Sequence, residues 1–258
     1  MSRIEQTFKQ LRKSGGKALI PYIMTGDPSL EATKKLIADI EEAGADIIEL
    51  GVPFSDPLAD GPTIQRAHER ALQNGVTLRK VLALVKEIRQ SSEVPLVLMT
   101  YFNPVFKFGI EAFAREASNA GVDGVIIPDL IPDEADDFIK AARQFKLDTI
   151  FLLAPTSTLE RIKKVVKAST GFIYYVSITG ITGAKLSIGN PMKDTLEIIR
   201  SNTGKPVAVG FGISTPQEAA SVSKLSEGVI IGSAIVRLIA EGKDIKDFVK
   251  KIKEGIGG

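Results

Sequence analysis

Eight short apolar runs recur along the chain, and a segment with helical periodicity follows each of them. The first four runs are ALIPYIM, DIIELGV, PLVLMTY and GVIIPD, and the last four are TIFLLA, GFIYYVS, PVAVGFG and GVIIGS. These runs do not alternate apolar and polar residues, which is typical of strands buried on both faces of a parallel sheet. The segments between them, such as LEATKKLIADIEEAG, have the apolar spacing of helices that cover such a sheet.

Eight consecutive βα units predict a (β/α)8 TIM barrel, and a doubly wound open sheet is the alternative. We see no linker and no low-complexity tract, so we expect one barrel domain over residues 1–258. We also expect an N-terminal helix with Ile4, Phe8 and Leu11 on one face. The segment PTIQRAHERALQNG predicts an extra helix after the second strand.

Composition removes several classes of function. The net charge is +2, and the chain has no cysteine and one histidine, His68. Disulfides, thiol catalysis and a histidine-rich metal site are therefore excluded, and a balanced charge does not indicate a nucleic-acid or membrane partner. The charged N-terminus lacks the apolar core of a signal peptide, so we expect a cytoplasmic protein. His68 has charged neighbours in RAHER, and we expect it at the surface.

Two carboxylates are candidates for acid–base chemistry. Glu49 lies inside an apolar run near the end of the second strand, where burying an ionised group costs several kcal/mol unless it is paired or protonated. Asp60 and Asp56 follow in the proline-rich loop over residues 53–62. A buried carboxyl and a more polar one can divide the roles of acid and base. The alternatives are a structural carboxylate at Glu49 and ordinary turn residues at the two aspartates.

Glycines at the ends of the last two strands indicate an anion site. Gly210, Gly212 and the pair Gly232-Ser233 precede or begin helices in the seventh and eighth βα loops. Phosphate binds at this place in many barrels, although tight strand-to-helix turns would require the same residues. A second loop over residues 177–191 is rich in Gly, Ser and Thr and could close over the site. No lysine lies in a strand run, so a Schiff-base nucleophile is not evident.

A close resemblance to the tryptophan synthase α subunit family is carried by the segment ELGVPFSDPLADGPTIQ. Seven further segments occur in the order of that family: PYIMTGDP, MTYFNPV, DGVIIPDLI, GFIYYVS, GITGAK, VAVGFGIS and GSAIV. The resemblance covers the whole chain. It implies a lyase that cleaves indole-3-glycerol phosphate to indole and glyceraldehyde 3-phosphate in tryptophan biosynthesis.

The resemblance also implies the roles of individual residues. Glu49 takes the acid/base role and Asp60 holds the indole N–H, and protonated indole serves as the electron sink, so that this chain needs no cofactor and no metal. Tyr22 and Tyr174 match residues around the indole or its side chain, and Thr182 matches a lid threonine that contacts the catalytic aspartate. The positions that match the phosphate end are Gly183, Gly210, Phe211, Gly212, Gly232 and Ser233.

The partner implied by the resemblance is a β subunit that carries pyridoxal phosphate, in an α2β2 heterotetramer. Asp56 and the segment YFNPV match parts of the face between the subunits. The chain departs from many members of the family at Ile178, where they have Arg, and at Tyr22, where they have Phe. Two other readings compete: a regulatory subunit without activity, and an isomerase of histidine biosynthesis on the same barrel.

Overall fold

A parallel barrel forms the centre of the molecule. The computed structural model describes residues 1–176, 190–210 and 212–257, with only the backbone of residues 190 and 191. The strands are β1 (Ala18–Met24), β2 (Ile48–Gly51), β3 (Leu96–Met99), β4 (Gly124–Ile126), β5 (Asp148–Ile150), β6 (Leu152–Leu153), β7 (Ile173–Val176), β8 (Val207–Gly210) and β9 (Gly228–Ile231). Their order in the sheet is β5-β4-β3-β2-β1-β9-β8-β7-β6, and each pairing is parallel.

The two ends of this sheet meet at Phe151. Strands β5 and β6 are the first and last in the sheet order, yet only this one residue separates them along the chain. They are therefore two halves of one interrupted strand, and the sheet curls into a nearly closed barrel. The predicted (β/α)8 fold is confirmed, and the doubly wound open sheet is wrong. The fifth apolar run, which we predicted as one continuous strand, is the one that is interrupted.

Helices surround the barrel, and all but the first pack along its outside. They are α1 (Arg3–Ser14), α2 (Leu30–Glu42), α3 (Pro62–Gln73), α4 (Leu78–Ile88), α5 (Phe102–Phe108), α6 (Ile110–Ala120), α7 (Asp136–Gln144), α8 (Leu159–Ala168), α9 (Asn190–Asn202), α10 (Pro216–Ser223), α11 (Ser233–Ala240) and α12 (Lys246–Ile256), with a 3-10 turn at Pro132–Glu134. Helix α3 is the predicted extra helix between β2 and α4, so that prediction is confirmed.

The buried side chains form two clusters, one inside the barrel and one between the strands and the outer helices. Side chains that alternate along a strand point to opposite faces, and in β2 Ile48 and Leu50 pack against the outer helices. Ile47 belongs instead to the cluster inside the barrel. Glu49 has the same parity as Ile47 and points inward, at the end of the strand where active sites of this fold lie.

Helix α1 closes the opposite end of the barrel. It begins with a capping box between Ser2 and Glu5, and its buried Ile4 and Phe8 pack with the cluster inside the barrel. The Phe8 ring lies 5.8 Å from the ring of Phe172, which precedes β7. The amphipathic face expected for the N-terminal helix is therefore confirmed. Because α1 closes this end, the interior of the barrel is accessible from the other end, where the strands have their C-termini.

Candidate active site

One cleft opens at the C-terminal end of the strands, and the space in and above it, open solvent included, is about 490 Å³. Residues from six different strands or the segments that follow them line it: Tyr22, Glu49, Asp60, Ile64, Met99, Tyr174, Gly212, Ile213, Ile230, Gly232 and Ser233. Carboxylates lie on one part of the wall and glycines on another. The cleft can therefore hold a ligand that has both an apolar part and an anionic part.

Glu49 is buried to 1% exposure in the wall of the cleft. Its Oε2 atom has no hydrogen-bond partner among the described residues. Burial raises the pKa of Glu49 from 4.5 to about 8, and the negative charge of Asp60 adds to the increase. The carboxyl group is consequently protonated near neutral pH and has an oxygen that bonds to no described protein group, as a general acid requires.

Asp60 is held in the loop between β2 and α3 by the side chains of Tyr101 and His68. Its Oδ2 atom accepts a hydrogen bond of 2.8 Å from the Tyr101 hydroxyl and lies 3.1 Å from Nε2 of His68. Gln65 donates to the Asp60 carbonyl at 2.8 Å. The Tyr101 hydroxyl also accepts from the Ala59 N–H at 3.1 Å. Asp60 is only 6% exposed, so it is a fixed part of the cleft and not a free turn residue.

His68 lies in this network, and its predicted surface position is wrong. Its exposure is 3%, and the Phe54 N–H donates to its Nδ1 at 3.0 Å. The charged neighbours that suggested exposure occupy the other side of α3. The buried residues of α3 are Ile64, Ala67, His68 and Ala71, which follow the i, i+3, i+4, i+7 pattern of a buried helical face. That spacing, read from the sequence, would have placed His68 inside.

Tyr22 and Tyr174 complete the apolar wall beside the carboxylates. Both belong to the cluster inside the barrel, and burial followed by the charges of Glu49 and Asp60 raises both phenol pKa values well above 10. Two strand-end glycines make room for them. A Cβ atom added at Gly51 would lie 2.2 Å from the Tyr22 hydroxyl, and one added at Gly210 would lie 2.5 Å from the Tyr174 hydroxyl.

The glycine side of the cleft is formed by the segments after β8 and β9. Gly212 has a φ of +76°, a conformation that side chains rarely adopt. Gly232 precedes α11, which begins at Ser233 without a side-chain cap. The first N–H groups of that helix are therefore available to an anion in the cleft.

The structure thus brings seven of the predicted site residues to one cleft and places Gly210 behind Tyr174. These seven residues are Tyr22, Glu49, Asp60, Tyr174, Gly212, Gly232 and Ser233. Thr182, Gly183 and Phe211 lie outside the described residues. Tyr101 and His68 are the contacts of Asp60 that sequence reasoning missed.

Neither a metal centre nor a membrane span is found in the part of the chain that the structure describes. There, no three His, Asp or Glu side chains are arranged to hold a metal ion. No described helix has the length and apolar character needed to cross a bilayer.

Comparison with known proteins identifies the family. The family model described as tryptophan synthase alpha chain matches residues 8–257. The tryptophan synthase alpha chains of Geotalea uraniireducens (strain Rf4) and Geobacter sulfurreducens are 52% and 50% identical, and the matches cover 99% and 100% of this chain and 98% and 100% of those proteins.

Solved structures agree with this assignment. A Mycobacterium tuberculosis tryptophan synthase chain is 40% identical with a TM-score of 0.94, and the match covers 100% of this chain and 99% of that one. The tryptophan synthase subunit alpha of Legionella pneumophila is 36% identical with a TM-score of 0.90, over 99% of this chain and 98% of that one. The chain therefore belongs to the tryptophan synthase alpha chain family, whose members are lyases that cleave indole-3-glycerol phosphate in tryptophan biosynthesis.

Proposed function

We propose that Glu49 is the general acid and base of the cleavage and that Asp60 accepts the N–H of the indole ring. The observation that carries this proposal is the buried Glu49 carboxyl, whose pKa is raised to about 8 and whose Oε2 has no partner among the described residues. Asp60 lies in the same cleft and keeps its position through Tyr101 and His68.

The chemistry that these groups support is a retro-aldol cleavage. Glu49 donates its proton to C3 of the indole, and the resulting cation is stabilised by Asp60 at the ring nitrogen. A base removes the proton of the glycerol hydroxyl next to the bond that breaks, and a carbonyl forms there. The electrons of the broken carbon–carbon bond return to the indole ring, which leaves as indole, and the other product is glyceraldehyde 3-phosphate. Glu49, ionised after its first step, is the group we propose as that base.

The phosphate of the substrate fits the glycine side of the cleft. Gly212 allows the backbone to approach the anion, and the uncapped N-terminus of α11 at Gly232 and Ser233 offers N–H groups to it. We place Gly210 at the same end through its effect on Tyr174. By the family pattern we include Thr182, Gly183 and Phe211, which lie outside the described residues. The apolar wall of Tyr22, Met99 and Tyr174 is left for the indole ring.

We propose that the chain works with a tryptophan synthase β subunit as an α2β2 heterotetramer. The similar structures from M. tuberculosis are of tryptophan synthase, and the rim of the cleft here carries apolar side chains that water would not favour. Leu58, in the loop that holds Asp60, is 92% exposed, and Phe106 of the YFNPV helix is 64% exposed. Asp56 is two residues before Leu58 in the same loop, and these exposed positions support the face predicted from the resemblance.

Three further parts of the proposal rest on the family. Pyridoxal phosphate is expected in the β subunit and not in this chain. The reaction belongs to amino-acid biosynthesis, so we propose a cytoplasmic location. Residues 1–258 are proposed to form one barrel domain, because the strands join in a single sheet.

Indole release by a Glu49→Gln variant tests the proposal. Glutamine keeps the shape of the side chain but cannot give up a proton, so we expect kcat to fall by about 10²–10⁴-fold. The matched control is Glu254→Gln, which changes the same residue type at an exposed position in α12. Near-normal indole release by a folded Glu49→Gln protein would show that Glu49 is not the acid.

The same assay, run with and without a tryptophan synthase β chain, tests the partner. We expect the β chain to co-purify with this chain and to increase indole formation. The assay also distinguishes a lyase from a regulatory subunit without activity, because a regulatory subunit would release no indole with or without the β chain.

A further inference from the structure

We propose that His68 is a positioning residue that fixes the Asp60 carboxylate and its loop through the Nε2–H tautomer of its neutral imidazole. The inference rests on the proposed role of Asp60 and extends it to a residue that does not line the cleft. His68 is the one histidine of the chain, and it contacts Asp60, which lines the cleft, without lining the cleft itself.

The hydrogen bonds around the ring determine its protonation. A backbone N–H can only donate, and the Phe54 N–H lies 3.0 Å from Nδ1, so Nδ1 must carry a lone pair. The hydrogen of the neutral ring is then on Nε2, which lies 3.1 Å from Oδ2 of Asp60 and donates to it. A doubly protonated ring would direct an N–H at the N–H of Phe54. The geometry therefore selects one tautomer of the neutral ring.

This arrangement joins the two ends of the loop that carries Asp60. The ring of His68 connects Phe54, at the start of the loop, to Asp60, at its end. Tyr101 adds a parallel connection, since its hydroxyl donates to Oδ2 of Asp60 and its ring stacks on Phe54 at 5.3 Å. Both donors meet the same oxygen, Oδ2. The carboxylate is thus oriented with Oδ1 as the atom that would accept the indole N–H.

The support of His68 is itself rigid. Its neighbours Ile64, Ala67 and Ala71 on α3 are buried, and the exposed fraction of the His68 side chain is 4%. Two residues further along α3, Arg70 makes two hydrogen bonds to the buried Asp27 in the loop after β1, at 2.8 and 2.7 Å. A histidine on a helix anchored in this way can hold the loop of Asp60 in place, whereas a histidine at an exposed, mobile position could not.

Two near-isosteric variants separate the two hydrogen bonds. His68→Gln can place an amide N–H near the position of Nε2, so it keeps the donor to Asp60 and loses the acceptor for Phe54. His68→Asn can place an oxygen near the position of Nδ1, so it keeps that acceptor and loses the donor to Asp60. His68→Leu loses both groups and controls for the filled volume.

We expect the loss of the Asp60 donor to lower kcat of indole release by about 10- to 100-fold, because a hydrogen bond to a charged group is lost and the carboxylate is misplaced. His68→Asn and His68→Leu should both show this loss, with KM changed less than threefold. His68→Gln should retain kcat within about threefold of the parent. The proposal is overturned if Asn and Leu retain the parent kcat, or if Gln and Asn lose it equally. If His68 only stabilised the fold, the kcat values of the three variants would instead fall in the same order as their thermal midpoints of unfolding.

Nitrogen NMR of the imidazole supplies a readout that does not depend on activity. A single histidine gives one pair of ring ¹⁵N resonances without any assignment step. At neutral pH we expect the pattern of a neutral ring with hydrogen on Nε2, and Asp60→Asn should shift Nε2 far more than Nδ1. A ring with hydrogen on Nδ1, or equal averaging of the two tautomers, would contradict the proposal. The Glu49→Gln assay is run in parallel, so a normal Glu49→Gln rate rejects the proposed function, whereas normal His68 variants reject this inference alone.

Discussion

The free energy of unfolding should depend on pH through Glu49, and replacing this residue with glutamine should remove that dependence. The carboxyl is 1% exposed and its pKa is raised from 4.5 to about 8, first by burial and then by the charge of Asp60. The folded state therefore keeps this proton up to a much higher pH than the unfolded chain does. Glutamine has nearly the same shape and does not titrate.

The sign of the effect follows from proton linkage. Below about pH 4.5 both states hold the proton, and the stabilising contribution of the protonated carboxyl is fully present. Between pH 4.5 and about 8 the unfolded chain has released its proton and the folded protein has not, so stability falls by about 1.4 kcal/mol per pH unit. Over the whole window the loss is on the order of 5 kcal/mol, and above pH 8 it stays constant.

Urea unfolding of the parent and of Glu49→Gln at a series of pH values measures this slope. Burying the glutamine amide without a partner adds a penalty of about 1–3 kcal/mol, but that penalty is the same at each pH. The difference in unfolding free energy should thus shift in favour of the variant by about 3 kcal/mol between pH 5 and pH 7.5. Glu254→Gln, at an exposed position, is the control for loss of a carboxyl group. Curves for the parent and Glu49→Gln that run parallel across this window would refute the assignment of a protonated buried Glu49.

Two further predictions concern the glycine side of the cleft and the anchor of α3. Gly212→Val should raise KM for indole-3-glycerol phosphate at least tenfold, because φ is +76° and a β-branched side chain would obstruct the anion, whereas Gly204→Ala in open space should not. Inorganic phosphate should compete with substrate in the parent, and a lack of competition would mean that Gly212 only forms a turn. Arg70→Leu should lower the unfolding free energy by about 3 kcal/mol, since Asp27 is 2% exposed and would lose its two charged hydrogen bonds. Arg66→Leu at an exposed position of α3 is the control in a urea titration, and an equal effect would contradict the role of the ion pair.

The strands could be predicted from the sequence because each is buried on both faces. Uninterrupted apolar runs are required wherever one face meets the barrel interior and the other meets a helix, and each of the eight runs contains a strand. The break at Phe151 could not be predicted in this way. It depends on how the ends of the sheet meet, which is a property of the closed barrel and not of local composition.

Glu49 could be found because a carboxylate inside an apolar run is costly and therefore conspicuous. His68 and Tyr101 could not be found by the same reasoning. The buried imidazole shows only when the i, i+3, i+4, i+7 spacing of α3 is followed position by position, and the buried phenol, which precedes α5, leaves no unusual pattern in the sequence. Their role becomes visible only when the loop after β2 brings Asp60 between them.

The choice of neutral partners for Asp60 connects these observations. An arginine or lysine bound to Asp60 would offset its charge, and the increase in the Glu49 pKa that this charge contributes would be smaller. A phenol and a neutral imidazole hold the carboxylate in place and leave its full negative charge in the cleft. That charge then acts twice: it helps to keep Glu49 protonated before the reaction, and it attracts the positive charge that develops on the indole nitrogen when Glu49 gives up its proton. The Phe54 N–H fixes the tautomer of His68 in which Nδ1 accepts and Nε2 donates, so one backbone hydrogen bond on the far side of the ring helps to keep Glu49, the group that starts the reaction, protonated.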